Sequence, residues 1–185
     1  MKSEKEKRES GELYNAKTDQ EVLTDLRKCE EECFEINQMH PSQRQERNLR
    51  IRKLLGSSGE DFAVIAPFFC DLGYNIHVGD HFFANTNCVI LDEAQVTFGA
   101  NVFIGPNCSF YTAGHPIDPE TRNTGAEYAY PIHVGDNVWF GGGVTVVPGV
   151  TIGNNVTIGA GSVITHDIPD NVVAAGNPCR VIRKI

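Results

Sequence analysis

Val134-Gly-Asp-Asn-Val-Trp139, Phe140-Gly-Gly-Gly-Val-Thr145, Val146-Val-Pro-Gly-Val-Thr151, Ile152-Gly-Asn-Asn-Val-Thr157, Ile158-Gly-Ala-Gly-Ser-Val163 and Ile164-Thr-His-Asp-Ile-Pro169 are consecutive sixes of one 185-residue chain. Each opens on an apolar residue, usually followed by glycine. Four places after the opener stands Val138, Val144, Val150, Val156, Ser162 or Ile168. A helix cannot use this period, because its apolar stripe recurs every 3.6 residues. A short strand followed by a tight corner can, when repeated until the chain winds into a triangular prism. The repeat therefore predicts a mainly β, parallel β-helix whose openers and their partners four places on form one buried column.

The frame reaches back through Phe98, Ile104 and Phe110 and meets Val134 in phase after four more steps. Nine apolar openers in a row arise by chance about 3 times in 10,000 at the chain's 41 % hydrophobic background. An earlier run, Val78, Ala84 and Ile90, joins with a two-residue slip. Corners need compact or left-handed backbone, which assigns Gly79, Gly99, Gly105, Gly135, Asn101, Asn107, Asn137 and Asn155 to them. Three sixes make a coil, coils stack at about 4.8 Å, and about five coils would stand roughly 24 Å tall.

The N-terminal part, residues 1–59, reads differently from the repeat part, residues 60–185. Thr18-Asp-Gln-Glu21 and Ser42-Gln-Arg-Gln45 look like capping boxes that open two helices. Val22, Leu26, Cys29, Cys33 and Ile36 fall on one face of the first; Leu49, Ile51, Leu54 and Leu55 mark the second. His40-Pro41 separates them, and Gly56-Ser-Ser-Gly59 reads as a linker. A helical hairpin covering an end or flank of the prism is expected, because an open β-helix end exposes unpaired backbone groups.

A net charge of −8 argues against nucleic acid or an anionic membrane as partner. The charged start, Met1 to Arg8, has no apolar signal core, and no run approaches a membrane span, so the expected location is cytoplasmic. Disulfides are not expected among the six cysteines in that compartment. Cys88 and Cys108 occupy inward positions; Cys29 and Cys33 sit four apart without a matching His/Cys pair, so no metal is expected.

Residues 111–131 leave the repeat as a protruding loop. A prism side has no pocket of its own, so this loop is the place for a site, and His115 stands where the chain departs.

Gly11-Glu-Leu-Tyr14, Asp71-Leu-Gly-Tyr-Asn-Ile76, Phe82-Phe-Ala-Asn85, Gly114-His-Pro-Ile-Asp-Pro119, Gly135-Asp-Asn-Val-Trp139, Pro148-Gly-Val-Thr-Ile-Gly153 and Gly176-Asn-Pro-Cys-Arg180 together span nearly the whole chain. In these stretches the chain resembles the sugar O-acetyltransferases of the maltose and galactoside type, which are hexapeptide-repeat enzymes. The resemblance implies left-handed winding, acetyl-CoA as co-substrate, a homotrimer with sites between subunits, and direct acetyl transfer to a sugar such as maltose, glucose or a galactoside. It implies His115 as general base, suited by an imidazole pKa near working pH. Asp71, Asn85, Glu93 and Glu127 would contact the acceptor. Gly142 would direct its N–H at the acetyl carbonyl. Ala160, Thr165 and His166 would lie along the pantetheine arm, with Arg180 and Arg183 near the nucleotide phosphates. Glu93 and Phe83 stand where the galactoside type has aspartate and tyrosine, and Asn15-Ala-Lys17 lacks its N-terminal acid. Asp71 with Glu127 points to the maltose type instead.

Three other functions are compatible with a period of six. A γ-type carbonic anhydrase needs three histidines meeting at a subunit boundary, and the spacings of His77, His81, His115, His133 and His166 do not match that ligand pattern. A non-catalytic scaffold would have no need of His115, Asn85 and the arginines. An acetyltransferase for another acceptor, an antibiotic or an amino sugar, differs only in its pocket.

Overall fold

The computed structural model describes residues 2–185. From Ser57 the chain winds through three parallel faces in turn. The first face stacks Ser57–Ser58, Ile76–Val78, Val96–Phe98, Ile132–Val134 and Thr151–Ile152. The second stacks Phe62–Val64, Phe82–Ala84, Phe103–Ile104, Val138–Phe140, Val156–Ile158 and Val172–Ala175. The third stacks Phe68–Cys70, Cys88–Leu91, Ser109–Tyr111, Thr145–Val146 and Val163–Ile164. The second face thus carries one coil more than the five expected, and Arg180–Lys184 folds back antiparallel on it.

All nine openers from Phe98 to Ile164 are buried, at no more than 4 % exposure. Phe98 pairs with Val134 across the excursion, so the frame resumes in register. The slips have a physical form. Register partners lie 20 residues apart in the early coils (Phe62 with Phe82), 18 in the later ones (Val138 with Val156) and 16 at the last (Val156 with Val172).

The corners use asparagine and glycine for different reasons. Asn101, Asn107, Asn137 and Asn155 take φ of 57°, 60°, 57° and 54°, the left-handed region in which a short amide side chain is tolerated. Gly79, Gly99, Gly105 and Gly135 do not have positive φ; what they supply is room. A Cβ on Gly79 would lie 2.6 Å from the Gly99 carbonyl carbon of the coil above.

Among the described residues four α-helices accompany the prism: α1 (Glu4–Glu9), α2 (Gln20–Gln38), α3 (Arg44–Leu54) and α4 (Pro119–Asn123). The hairpin is α2 and α3, with its starts shifted from expectation. Asp19 rather than Thr18 caps α2, accepting from the Glu21 and Val22 N–H groups. His40 caps a single turn, Pro41–Gln43, and α3 follows with no side-chain cap, because Pro41 starts that turn before Ser42 can act. Leu49 points outward, whereas Ile51 and Leu55 join the core with Cys29, Cys33 and Ile36. Ser57–Ser58 pairs with His77–Val78 instead of serving only as a linker.

The hairpin covers the open N-terminal edge. Asn37 Nδ2 donates to the Phe68 carbonyl and Asn37 Oδ1 accepts from the Phe68 N–H, both at 2.9 Å. One amide thereby satisfies the backbone of a strand with no coil above it. The helix α1 was hidden in the charged start, although Ser3 and Glu6 form a reciprocal capping box there. Among the described residues no helix is long and apolar enough to cross a membrane.

Candidate functional site

The excursion leaves after Tyr111, which still pairs with Leu91 in the third face. Buried Thr112 anchors its base: its hydroxyl donates to the Leu91 carbonyl at 2.7 Å, and its own carbonyl accepts from Tyr130 N–H at 2.8 Å. Ala113–Gly114 then pairs antiparallel with Tyr128–Ala129. Gly114 leaves room there for the Tyr128 ring, since a Cβ would sit 2.5 Å from the Tyr128 hydroxyl and the ring would have to shift. Asp118 caps the short α4 at the loop's tip.

His115 follows this two-stranded base at the corner between the third and first faces. Its Nδ1 lies 3.0 Å from the Ala126 carbonyl oxygen. A carbonyl only accepts, so Nδ1 carries the proton and Nε2 keeps its lone pair for another group. The N-terminal segment holds the opposite side of the loop. Tyr14 and Glu127 exchange backbone hydrogen bonds at 3.0 and 2.9 Å, and Asn15 Nδ2 donates to the Thr124 carbonyl at 2.9 Å. Residues before α2 therefore set the position of the histidine through Ala126 and Glu127.

Acidic side chains gather at the same corner. Asp92 is fully buried and accepts from three backbone N–H groups: Asp71, Leu72 and Asn75. Burial nevertheless pushes its carboxyl up to about 6. Glu93 is pushed up to about 9 by burial and by Asp71 beside it, and its Oε2 has no partner. The Tyr14 hydroxyl is also buried without a partner, and burial together with the Glu93 and Glu127 carboxylates drives its proton affinity up. Arg8 is buried next to the Tyr74 hydroxyl with Nε and Nη1 unpaired. Glu93 Oε2 and the Tyr14 hydroxyl thus carry unmet hydrogen-bonding capacity on the corner that also bears Asp71, Glu127 and His115, a set of groups suited to a polyhydroxylated ligand.

Glu93 gives this corner a pH signature. Its folded pKa is raised from 4.5, so its stabilising contribution is full below about 4.5 and is lost as pH rises through about 9. Relative to Glu93→Gln, the wild type should lose stability between pH 5 and pH 9. Urea midpoints of both proteins at those two pH values check this, and an unchanged difference would contradict it.

The corner between the second and third faces holds the other set. Asn85, Gly142, Phe83, Phe103 and Trp139 line a groove of about 580 Å³. Asn85 Oδ1 accepts from Thr86 N–H at 2.8 Å, which leaves Nδ2 to the groove. Gly141 and Gly143 donate to the Ile158 and Pro106 carbonyls, each at 2.8 Å, whereas Gly142 N–H has no acceptor among the described residues. Ala160 stacks directly on Gly141. Trp139 and Phe103 are exposed to 57 % and 48 % and, with Phe83, form an outward aromatic ladder beside this groove.

Within one chain, then, His115, Glu127, Glu93 and Asp71 share a corner, as do Asn85, Gly142 and Ala160, but the two corners differ. Thr165 and His166, hydrogen-bonded to each other, lie on the His115 corner. Arg180 and Arg183 lie on the exposed antiparallel strand at the far end. The contributions of Arg8, Tyr14 and Asn15 through their side chains or backbone were missed by sequence reasoning. The resemblance of Gly11-Glu-Leu-Tyr14 and the Ser3–Glu6 capping box both signalled a structured segment, without assigning these contacts. Among the described residues no histidine belongs to a group of three side chains within one chain that could hold a metal.

Residues 131–166 match the family described as bacterial transferase hexapeptide (six repeats), and residues 7–59 match the maltose acetyltransferase hexapeptide capping motif. The galactoside O-acetyltransferase of Escherichia coli K12 is 49 % identical over 152 residues, covering 82 % of this chain and 75 % of its own. A solved maltose O-acetyltransferase from Clostridium difficile 630 superposes with a TM-score of 0.97 at 49 % identity, covering 100 % of this chain and 98 % of that one. A galactoside acetyltransferase in complex with coenzyme A superposes with a TM-score of 0.96 at 42 % identity, covering 100 % and 92 %.

Proposed function

The chain belongs to the maltose and galactoside acetyltransferase type of the hexapeptide-repeat acetyltransferases, and from that premise we propose that it moves the acetyl group of acetyl-CoA to a hydroxyl of a sugar of the maltose or glucose kind. The observation that carries this reading is His115 with Nδ1–H committed to the Ala126 carbonyl and Nε2 free beside a carboxyl-lined corner.

His115 Nε2 takes the proton of the sugar hydroxyl as that oxygen attacks the thioester carbonyl. The carbonyl oxygen gathers negative charge, which the uncommitted N–H of Gly142 stabilises. Collapse breaks the carbon–sulfur bond, and the imidazolium returns its proton to the leaving thiolate. Asp71, Glu93 and Glu127 orient the acceptor's other hydroxyls, and Asn85 steadies the reacting oxygen or the histidine. Ala160, Thr165 and His166 line the pantetheine arm. Arg180 and Arg183 supply a positive island to the nucleotide phosphates in an otherwise acidic chain.

These roles require both corners at one place, so the working unit is a homotrimer in which the His115 corner of one prism faces the Asn85 and Gly142 corner of the next. The exposed Trp139 and Phe103 ladder beside the groove supports that contact, since aromatic rings on a bare prism face lose burial. Thiol release from acetyl-CoA should accelerate with maltose or glucose and respond less to galactosides or chloramphenicol. A chloramphenicol-only response would assign another acceptor, and no response to any acceptor would remove the sugar reading.

A further inference from the structure

Two cysteines of α2 and one from a strand dozens of residues later meet where α2 crosses the third face. Cys29 and Cys33 are one helical turn apart on α2, and Cys70 ends the strand Phe68–Cys70 beneath them. Cys70 Sγ lies 3.5 Å from Cys29 Sγ and 3.8 Å from Cys33 Sγ. All three sulfurs fall within 4.8 Å of one another and all three residues are buried, at 2 %, 3 % and 7 % exposure. None is needed for the acetyl transfer described above.

A core that only needed to be filled at this joint would have been served by alanine or valine, without three polarisable S–H groups in mutual contact. The spacing fits an ion. A circle drawn through three points with those separations has a radius of at most about 2.4 Å, against about 2.3 Å for a zinc–thiolate bond. An ion could therefore sit between the sulfurs without movement of the backbone. No histidine or carboxylate joins the set among the described residues. The nearby Asp92, whose charge acts on Cys29, has its oxygens engaged by backbone N–H groups. Three sulfur ligands and no oxygen select a soft cation.

Access is also provided. Cys33 and Cys70 border a groove of about 710 Å³ between α2 and the third face, with Phe34, Asn37 and Phe69 among its walls.

We propose that Cys29, Cys33 and Cys70 form a three-thiolate site for a thiophilic d10 cation, Cu(I) or Zn(II), which clamps the N-terminal helix to the prism. Binding forms three metal–sulfur bonds; the thiol protons leave to solvent through the groove, and no sulfur changes oxidation state. Cu(I) would be held in the plane of the sulfurs, whereas Zn(II) would add a water from the groove side as its fourth ligand.

The test uses reduced, metal-free full-length protein under anaerobic conditions, titrated separately with Cu(I), Zn(II) and, as an optical reporter, Cd(II). One ion per chain should bind. Cd(II) should give a sulfur-to-metal charge-transfer band saturating at one equivalent, and the thermal midpoint should rise by several degrees with Zn(II) or Cu(I). Cys33→Ala and Cys70→Ala should each abolish the band, while Cys179→Ala keeps it. Because those variants loosen the joint, the wild type supplies a second readout: the bound ion should shield Cys29, Cys33 and Cys70 together from alkylation. X-ray absorption showing three sulfurs identifies Cu(I), and three sulfurs with one oxygen identifies Zn(II). Absence of a band in the wild type, a band that survives Cys33→Ala, or two or fewer sulfurs around the ion would overturn the site. No readout depends on acetyl transfer, so the outcome is separate from the fate of the proposed reaction.

Discussion

His115→Ala should lower kcat by about 10²–10⁴-fold, the usual contribution of a positioned general base, while KM for acetyl-CoA changes little. A sugar hydroxyl ionises far above neutrality, so without a proton acceptor its oxygen is a poor nucleophile. His115 is the group at the loop corner whose free nitrogen is fixed by geometry, through the Nδ1 bond to Ala126. The proposed cofactor contacts are separate side chains and backbone groups, Gly142, Ala160, Thr165, His166 and the closing strand, which the truncation leaves in place, so binding should be spared. The histidine is exposed on a loop outside the column, so folding should be unaffected. Steady-state kinetics on the folded variant measure the effect, and a rate within tenfold of wild type would move the base to another group. Mixed trimers extend the test. If each site takes His115 from one chain and Asn85 from its neighbour, combining His115→Ala chains with Asn85→Ala chains should restore about a quarter of the sites. Both variants should be weak alone. No recovery on mixing would place both residues in the same chain's site.

Phe110→Ala should cost about 3–5 kcal/mol of stability. Phe110 is wholly buried at the centre of the prism. Its ring meets Phe98 from the first face at 5.1 Å and Phe140 from the second at 5.3 Å, both nearly edge-on. Truncation removes the apolar area, two aromatic pairs of about 0.5–1.5 kcal/mol each and leaves a cavity that three stacked faces cannot collapse to fill. For a chain of this size the thermal midpoint should fall by roughly 6–20 °C. Phe110→Leu should lose much less. Denaturant melts at one fixed protein concentration compare them, since assembly adds to apparent stability. A loss under about 1 kcal/mol would mean that the interior is loosely packed there.

The period of six was legible because it is local: every inward position is set by its neighbours, and strand stacking repeats the same environment coil after coil. Hence Phe98 and Val134 could be placed in phase across the intervening loop and do pair. The same locality explains the errors. Asp19 and His40, rather than Thr18 and Ser42, cap their helical segments because several polar residues near each start can do so, and backbone geometry selects among them. Glycine at the corners was expected for its conformational freedom, but at Gly79, Gly99, Gly105 and Gly135 it answers the closeness of the next coil.

By itself the sequence determined the β-helix, its buried column, the covering hairpin and the loop that bears His115, since each follows from periodicity, capping signals or a break in the repeat. Only the tertiary structure decided which side chains share a corner. Tyr14 meets Glu127, Cys70 meets Cys29 and Cys33, and Asn85 is parted from His115. Those relations join residues dozens of positions apart, and they depend on how many residues each coil and corner consumes. Coils of 20, 18 and 16 residues turn the same hexad onto different neighbours, and no local pattern encodes that sum.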